Sequence, residues 1–390
     1  MKNRSTAIIT FLCAWIASTV MSLPAIAEPL TVGAERLTFY LPKIKAQRVG
    51  VVVNQSSIAK GQHLVDYLLA QQVNVTTIYA PEHGFRGDKG AGEKVHDAVD
   101  ENTNLPVMSL YGKTRKPNAE MLNNVDVLIF DIQDVGVRFY TYVSTLHYVM
   151  EAAAEMNKAV IVLDRPNPNI HFVDGPVLDI EFQSFVGMHP VPVLHGMTLG
   201  EMALMIKGEA WIAHADALDL TVIPVADYTR SSEYELPIKP SPNLPNATAI
   251  QLYASLCFFE PTPFSIGRGT PFPFQVIGHS TLHLGDFAFT PTSMPDSAPS
   301  PKFQDQQVHG LDLRQAEFEG LDLSLLFEAY QQAKAENVEF FTSASFFDKL
   351  AGSSALREAL QNGASFDDVK ASWQADLLAF KQRRQPYLLY

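Results

Sequence analysis

The chain has 390 residues, 47% hydrophobic and 18% charged, a balance that supports a large packed core and argues against a disordered or fibrous class. Its net charge of -13, with no run of Lys or Arg, argues against a nucleic-acid partner and leaves a small molecule or a glycan as the ligand class. The length exceeds what one core commonly supports, so two domains are expected.

Lys2 and Arg4 precede an apolar stretch from Ile8 to Val20, followed by Leu23-Pro24-Ala25-Ile26-Ala27. This order of basic, apolar and small residues reads as a secretory signal peptide over residues 1–27, so an exported protein, periplasmic or secreted, is expected. Cleavage leaves Cys257 alone, which excludes an internal disulfide and a cysteine metal cluster. No later segment is apolar enough over a sufficient length to span a bilayer, so no stable membrane insertion is expected after cleavage.

The continuous apolar run Val49–Val53 predicts a strand covered on both faces. Leu64, Leu68 and Leu69 follow at helical spacing, then strands are predicted over Val73–Ala80, Pro106–Leu110 and Val125–Phe130, a helix over Tyr142–Met156, and a strand over Ala159–Leu163. Repeated strand–helix–strand order predicts an α/β fold, a doubly wound, mostly parallel sheet over residues 28–225. Residues 226–390 form the second, smaller domain, with a rigid Pro-rich stretch from Pro237 to Pro273, an exposed loop over Thr290–Lys302, and a helical tail in which Ser365 caps the turn leading to Val369, Trp373, Leu377 and Phe380.

In doubly wound sheets ligands sit beyond the carboxyl ends of the strands, and here those ends are loaded with polar groups. Asn54-Gln55-Ser56 follows the first strand, Pro81-Glu82-His83-Gly84-Phe85-Arg86-Gly87 the second, Asp131-Ile132-Gln133-Asp134 with Arg138 the fourth, and Asp164-Arg165-Pro166-Asn167-Pro168 the fifth. Glu82, between a proline and a glycine turn, is a candidate proton donor; the alternative is a salt bridge to Arg86. Asp131 or Asp134 could position water or stabilise a developing cation, with Arg138 on an anionic substituent; alternatively Asp134 caps the next helix and Arg138 pairs with Asp131. Thr198-Leu199-Gly200-Glu201 is a capping box, so Glu201 reads as a helix start and His195 before it is ambiguous. Asn243, Glu260 and Arg268, on stiff segments, could close a cleft between the domains.

The glycines at 84, 87, 90 and 92 lack the Gly-Lys-Ser/Thr and Gly-x-Gly-x-x-Gly spacings of nucleotide loops, and there is no Gly-x-Ser-x-Gly elbow and no His-Glu-x-x-His pattern. Neither a cofactor nor a metal is expected.

Taken together, Pro81–Gly87, Asp131–Gly136 with Arg138–Tyr142, Asp164–Pro168, His195–Glu201, Pro240–Pro245, Gly267–Thr270 and the closing Tyr387–Tyr390 resemble the exo-β-N-acetylmuramidases of glycoside hydrolase family 171. The resemblance implies a Rossmann-like domain, a smaller α/β domain and a site between them. It also implies an exo-acting hydrolase that releases N-acetylmuramic acid from the non-reducing end of peptidoglycan fragments. In that frame Glu82 is the general acid and Asp131 or Asp134 the second carboxylate. Asn54, His83, Arg86, Gln133, Arg138, Tyr140, His195, Asn243, Glu260 and Arg268 would line the sugar site, the arginines favouring the lactyl carboxylate. Where many relatives carry Glu-Gly-Thr-Asn, this chain has Glu260-Pro261-Thr262-Pro263, which stiffens the loop and removes two backbone donors. The rival reading is a non-catalytic periplasmic module that binds muropeptides or other anionic glycans.

Overall fold

A computed structural model describes residues 30–86 and 96–390. The signal-peptide reading of residues 1–27 and the glycines at 87, 90 and 92 lie outside the described residues. Among the described residues no helix is long and apolar enough to cross a membrane.

Seven strands form the main sheet: β1 (Val49–Val53), β2 (Val75–Ala80), β3 (Ala98–Val99), β4 (Pro106–Ser109), β5 (Val127–Asp131), β6 (Ala159–Leu163) and β7 (Leu220–Ile223). Their order is β7-β6-β5-β1-β2-β4-β3, parallel throughout except for β3, which pairs antiparallel with β4 at one edge. The chain winds outward from β1 through β2 and β4, then returns to the other side of β1 for β5, β6 and β7. The switch point therefore lies between β1 and β5, in register from Val49 with Val127 to Val53 with Asp131. β3 and β7 escape the sequence reading because two exposed residues, or four of which three are half-buried and one buried, carry little periodic signal.

Every residue of β1 and β5 is buried, as continuous apolar runs require. Val49, Val51 and Val53 pack with Leu64 and Leu68 of α2 (Leu64–Ala70) and with α1 (Leu37–Ile44) on one face. Val52, Leu128 and Phe130 face α3 (Tyr142–Glu155) and α4 (Leu199–Gly208) on the other. The second face is not closed by helices of the first domain alone. Its apolar cluster runs on through Leu252 of α5 (Ala247–Leu256), Phe258, Leu326, Leu350 and Trp373 without a break. The two domains thus share one core.

The second domain holds a three-stranded antiparallel sheet in the order β8-β10-β9, built from β8 (Val276–His279), β9 (Phe287–Phe289) and β10 (Val308–Asp312). Five helices follow: α6 (Ser324–Ala335), α7 (Ala344–Ala351), α8 (Ala355–Asn362), α9 (Phe366–Ser372) and α10 (Gln374–Arg383). Between Ile223 and α5 the chain is an irregular strap rather than a sharp boundary. The capping box of Thr198 with Glu201 is present, and Ser365 caps α9 as expected, its pairing with Asp368 making a second capping box.

The last residues return to the first domain. The Tyr390 hydroxyl donates to Asp164 Oδ2 at 2.7 Å and accepts from the Val225 amide at 2.8 Å, while the Leu389 amide donates to Glu201 at 2.8 Å. Asp164 sits at the end of β6, fully buried, and also accepts from Thr198 and the Gly200 amide. Tyr390→Phe leaves a buried amide and carboxyl each short of one partner, and is expected to lower unfolding free energy by about 1–3 kcal/mol. Urea denaturation checks this as a lower midpoint at an unchanged slope.

Candidate active site

A cleft of about 580 Å³ opens above the carboxyl edge of the sheet, walled on the far side by the second domain. Of the residues singled out by sequence, Glu82, His83, Tyr140, Asn243, Glu260 and Arg268 line it. Asn54, Arg86, Asp131, Gln133, Asp134, Arg138 and His195 do not.

Glu82 ends the segment leaving β2. His83 and Gly84 after it both have left-handed backbones, with φ of 70° and 78°, and the second of these is where glycine is needed to reverse the chain. The reversal leaves Glu82 half-buried at the cleft wall, its Oε2 accepting from the Thr141 hydroxyl at 2.6 Å at the start of α3. Tyr140 and Tyr142 stand edge to face at 4.9 Å, and Tyr140 continues into Tyr253 of α5 at 5.9 Å. The Tyr140 hydroxyl donates to the Pro240 carbonyl at 2.8 Å, fixing the strap against the first domain.

On the opposite wall Arg268 binds Glu260, Nε to Oε1 at 2.7 Å, and lies 5.0 Å from the Phe274 ring. The two prolines of this turn lack an N–H to donate, and the Thr262 amide still donates to the Phe259 carbonyl at 3.1 Å; the turn's carbonyls are also gathered by one cation. Lys302 Nζ donates to the carbonyls of Phe259, Glu260, Thr262 and Phe264 at 2.6 to 3.2 Å. The loop Thr290–Lys302 is exposed over most of its length, as expected, and its residues 297–301 also form part of the cleft wall, where Asn243 Nδ2 donates to the Ser297 carbonyl at 2.8 Å.

The remaining polar strand ends are turned inward, away from the cleft. Asp131, expected as a catalytic carboxylate, is fully buried and held by both Arg165 Nε at 2.6 Å and Arg165 Nη2 at 2.9 Å. Its geometry is that of a bidentate ion pair tying β5 to β6, with neither oxygen facing the cleft. Arg138 binds no anion: it donates to the carbonyls of Pro176, Val191 and Leu350 at 2.6 to 2.8 Å, joining the two domains through backbone. Arg86 pairs with Asp100 at 2.7 Å, neither with Glu82 nor with a cleft surface. Asn54 donates to the Tyr142 hydroxyl at 2.9 Å and accepts from Ser56, and Gln133 donates to the carbonyls of Asp134 and Pro166. His195 is buried, its Nδ1 accepting from the Met197 amide at 3.2 Å, and burial together with Arg384, Arg138 and Arg230 pulls it down to about 3, so it stays neutral.

Asp134 is also buried and does not line the cleft. Its Oδ1 accepts from the Gly136 amide at 2.7 Å, while Oδ2 is buried without a partner among the described residues. Burial raises its carboxyl to about 7. Gly136, at φ 74°, permits this turn: a Cβ there would meet the Asn167 amide at 2.2 Å. Burial, and to a lesser degree the charge of ionised Asp134, raises the hydroxyls of Tyr140 and Tyr142.

The sequence reading missed Tyr111, Arg115 and Phe185, which complete the rim. Burial, then the charge of Glu82 and a hydrogen bond to it, raises the Tyr111 hydroxyl. The first two lie on the irregular segment after β4 and the third in the loop before His189, where no periodic or motif signal marks them.

Between about pH 4, where an unfolded aspartate releases its proton, and about 7, folded Asp134 retains one. Its contribution to stability therefore falls as pH rises through that window and is level above it. Asp134→Asn removes the effect, so melting curves should show the variant gaining on wild type from pH 4.5 to 7.5, the gap then staying constant.

Two family models together match almost all of the described chain: exo-β-N-acetylmuramidase NamZ, N-terminal, over residues 49–248, and its C-terminal partner over 251–390. The chain is 38% identical over 374 residues to the peptidoglycan β-N-acetylmuramidase NamZ of Bacillus subtilis (strain 168), covering 90% of this chain and 89% of that protein. Among solved structures it is similar to two DUF1343 family proteins of Bacteroides fragilis NCTC 9343. One has a TM-score of 0.84 at 42% identity and the other 0.81 at 31%, each match covering 93% of this chain and 99% of the other. The chain belongs to the exo-β-N-acetylmuramidase NamZ family.

Proposed function

We propose that this chain is an exo-acting glycosidase that releases N-acetylmuramic acid from the non-reducing end of peptidoglycan fragments outside the cytoplasm, with Glu82 as general acid. The observation that carries the proposal is the placement of Glu82 on the wall of an inter-domain cleft, anchored by Thr141 and beside Tyr111. Family membership supplies the reaction class. The leader pattern of residues 1–27 supports export, which places the protein with its substrate.

Acetal cleavage needs a proton delivered to the leaving oxygen and a second group to stabilise the oxocarbenium-like transition state or to activate water. Thr141 and Tyr111 hold the Glu82 carboxyl so that it need not reorganise as it gives up its proton. The second role passes from Asp131, engaged by Arg165, to Glu260. Glu260 is the other carboxylate that lines the cleft among the described residues, and its oxygen is oriented by Arg268. Asp134 is buried and does not line the cleft, so it is not the second carboxylate.

The test is Glu82→Gln, which keeps the shape and removes the proton. Loss of a general acid costs on the order of a hundredfold to ten-thousandfold in rate. Turnover of a chromogenic β-N-acetylmuramide should fall by that factor while KM changes little; a variant that turns over at the wild-type rate overturns the assignment. Wild-type protein that binds a muramic-acid-terminated disaccharide but frees no sugar would favour the binding-module reading.

A further inference from the structure

The guanidiniums named for anion recognition are occupied by the protein itself: Arg86 by Asp100, Arg138 by three carbonyls, and Arg268 by Glu260. Arg115 is different. It lines the cleft beside Tyr111 and has no hydrogen-bonded or ion-paired partner among the described residues. Its guanidinium lies 4.3 Å from the Phe185 ring, which in turn stacks on Tyr148 at 6.3 Å and 13°. That shelf holds the planar cation near the rim without using its donors, an arrangement suited to two parallel hydrogen bonds with a carboxylate. Tyr111 connects it to the reacting end of the cleft, because the same hydroxyl senses both Glu82 and Arg115.

We infer that Arg115 is the specificity-determining residue of the cleft and receives the carboxylate of the bound sugar acid. The inference rests on the muramidase reading of the same site and adds the group that separates N-acetylmuramic acid from N-acetylglucosamine, which lacks the carboxylate. The neighbouring Lys116 does not compete for it, being paired with Glu151 and Glu155 at 2.8 and 2.7 Å. A charge-assisted, bidentate contact at a partly exposed site predicts a preference on the order of ten- to a hundredfold.

The full-length protein and its Arg115→Met and Arg115→Lys variants would be assayed on matched chromogenic β-N-acetylmuramide and β-N-acetylglucosaminide. The ratio of the two kcat/KM values should fall at least tenfold in Arg115→Met, mainly through KM for the muramide, and recover in part in Arg115→Lys. Arg115 is exposed, so Tm should stay at the wild-type value. An unchanged ratio overturns the inference. Calorimetric binding of free N-acetylmuramic acid and N-acetylglucosamine separates the two claims. Protein that binds the acid in an Arg115-dependent way but cleaves nothing removes the hydrolase reading and keeps the inference; protein that binds the acid equally well without Arg115 removes the inference alone. Wild type that neither binds nor cleaves removes both.

Discussion

The bidentate pair between Asp131 and Arg165 fixes the carboxyl edge of the sheet, and the shape of the cleft follows from it. Both side chains are buried, at the ends of adjacent strands β5 and β6. Arg165 also donates to the Ile58 carbonyl at 2.9 Å, which brings the segment after β1 into the same junction. Removing one partner of such a pair leaves a charge buried without compensation, at a cost of about 3–5 kcal/mol. The Ser57 hydroxyl donates to the Asp131 carbonyl, and the Gln133 amide donates to Ser56 Oγ at 3.0 Å, so the switch point between β1 and β5 is filled by protein. The ligand space is displaced outward, to where α3 begins and the second domain arrives.

Because the first domain leaves one face of its sheet incompletely covered, the second domain completes a core rather than docking on a finished surface. Polar contacts that hold that junction include Arg138 on the Leu350 carbonyl, Tyr140 on the Pro240 carbonyl, and Tyr390 on Asp164. Each binds backbone or buries its polar partner, so the cleft walls are set by hydrogen bonds inside the protein before any sugar enters. A preset cleft of this kind suits electrostatic catalysis, in which donors are already aimed when charge develops.

Five of the seven main-sheet strands, the Thr198 capping box, the Ser365 cap and the position of Glu82 after its strand were legible in the sequence, because apolar runs, Ser/Thr before a helical pattern and a Glu before a glycine turn are local signals. What local signals lack is direction. A polar residue after an apolar run can face the cleft, as Glu82 does, or turn back to satisfy buried backbone, as Asn54, Gln133 and Arg138 do. Asp131 and Arg138 look equally suited to chemistry until their partners, separated from them by 34 and 212 residues, are seen. Tyr111 and Arg115 escaped notice for the opposite reason: they belong to irregular chain and become a site only through Phe185 and Glu82, which lie far off in sequence.

The central claim is that the inward strand-end groups build the cleft and that Glu82 works within it. A crystal structure of the Glu82→Gln variant with N-acetylmuramic acid tests this most directly. The account places the anomeric oxygen within hydrogen-bond reach of residue 82, about 2.6–3.2 Å, with the sugar ring between the Tyr140 wall and the Glu260–Arg268 pair. A sugar seated instead in the separate cavity lined by Asn169, Tyr234 and Gln251, or with its anomeric carbon turned away from residue 82, would contradict it.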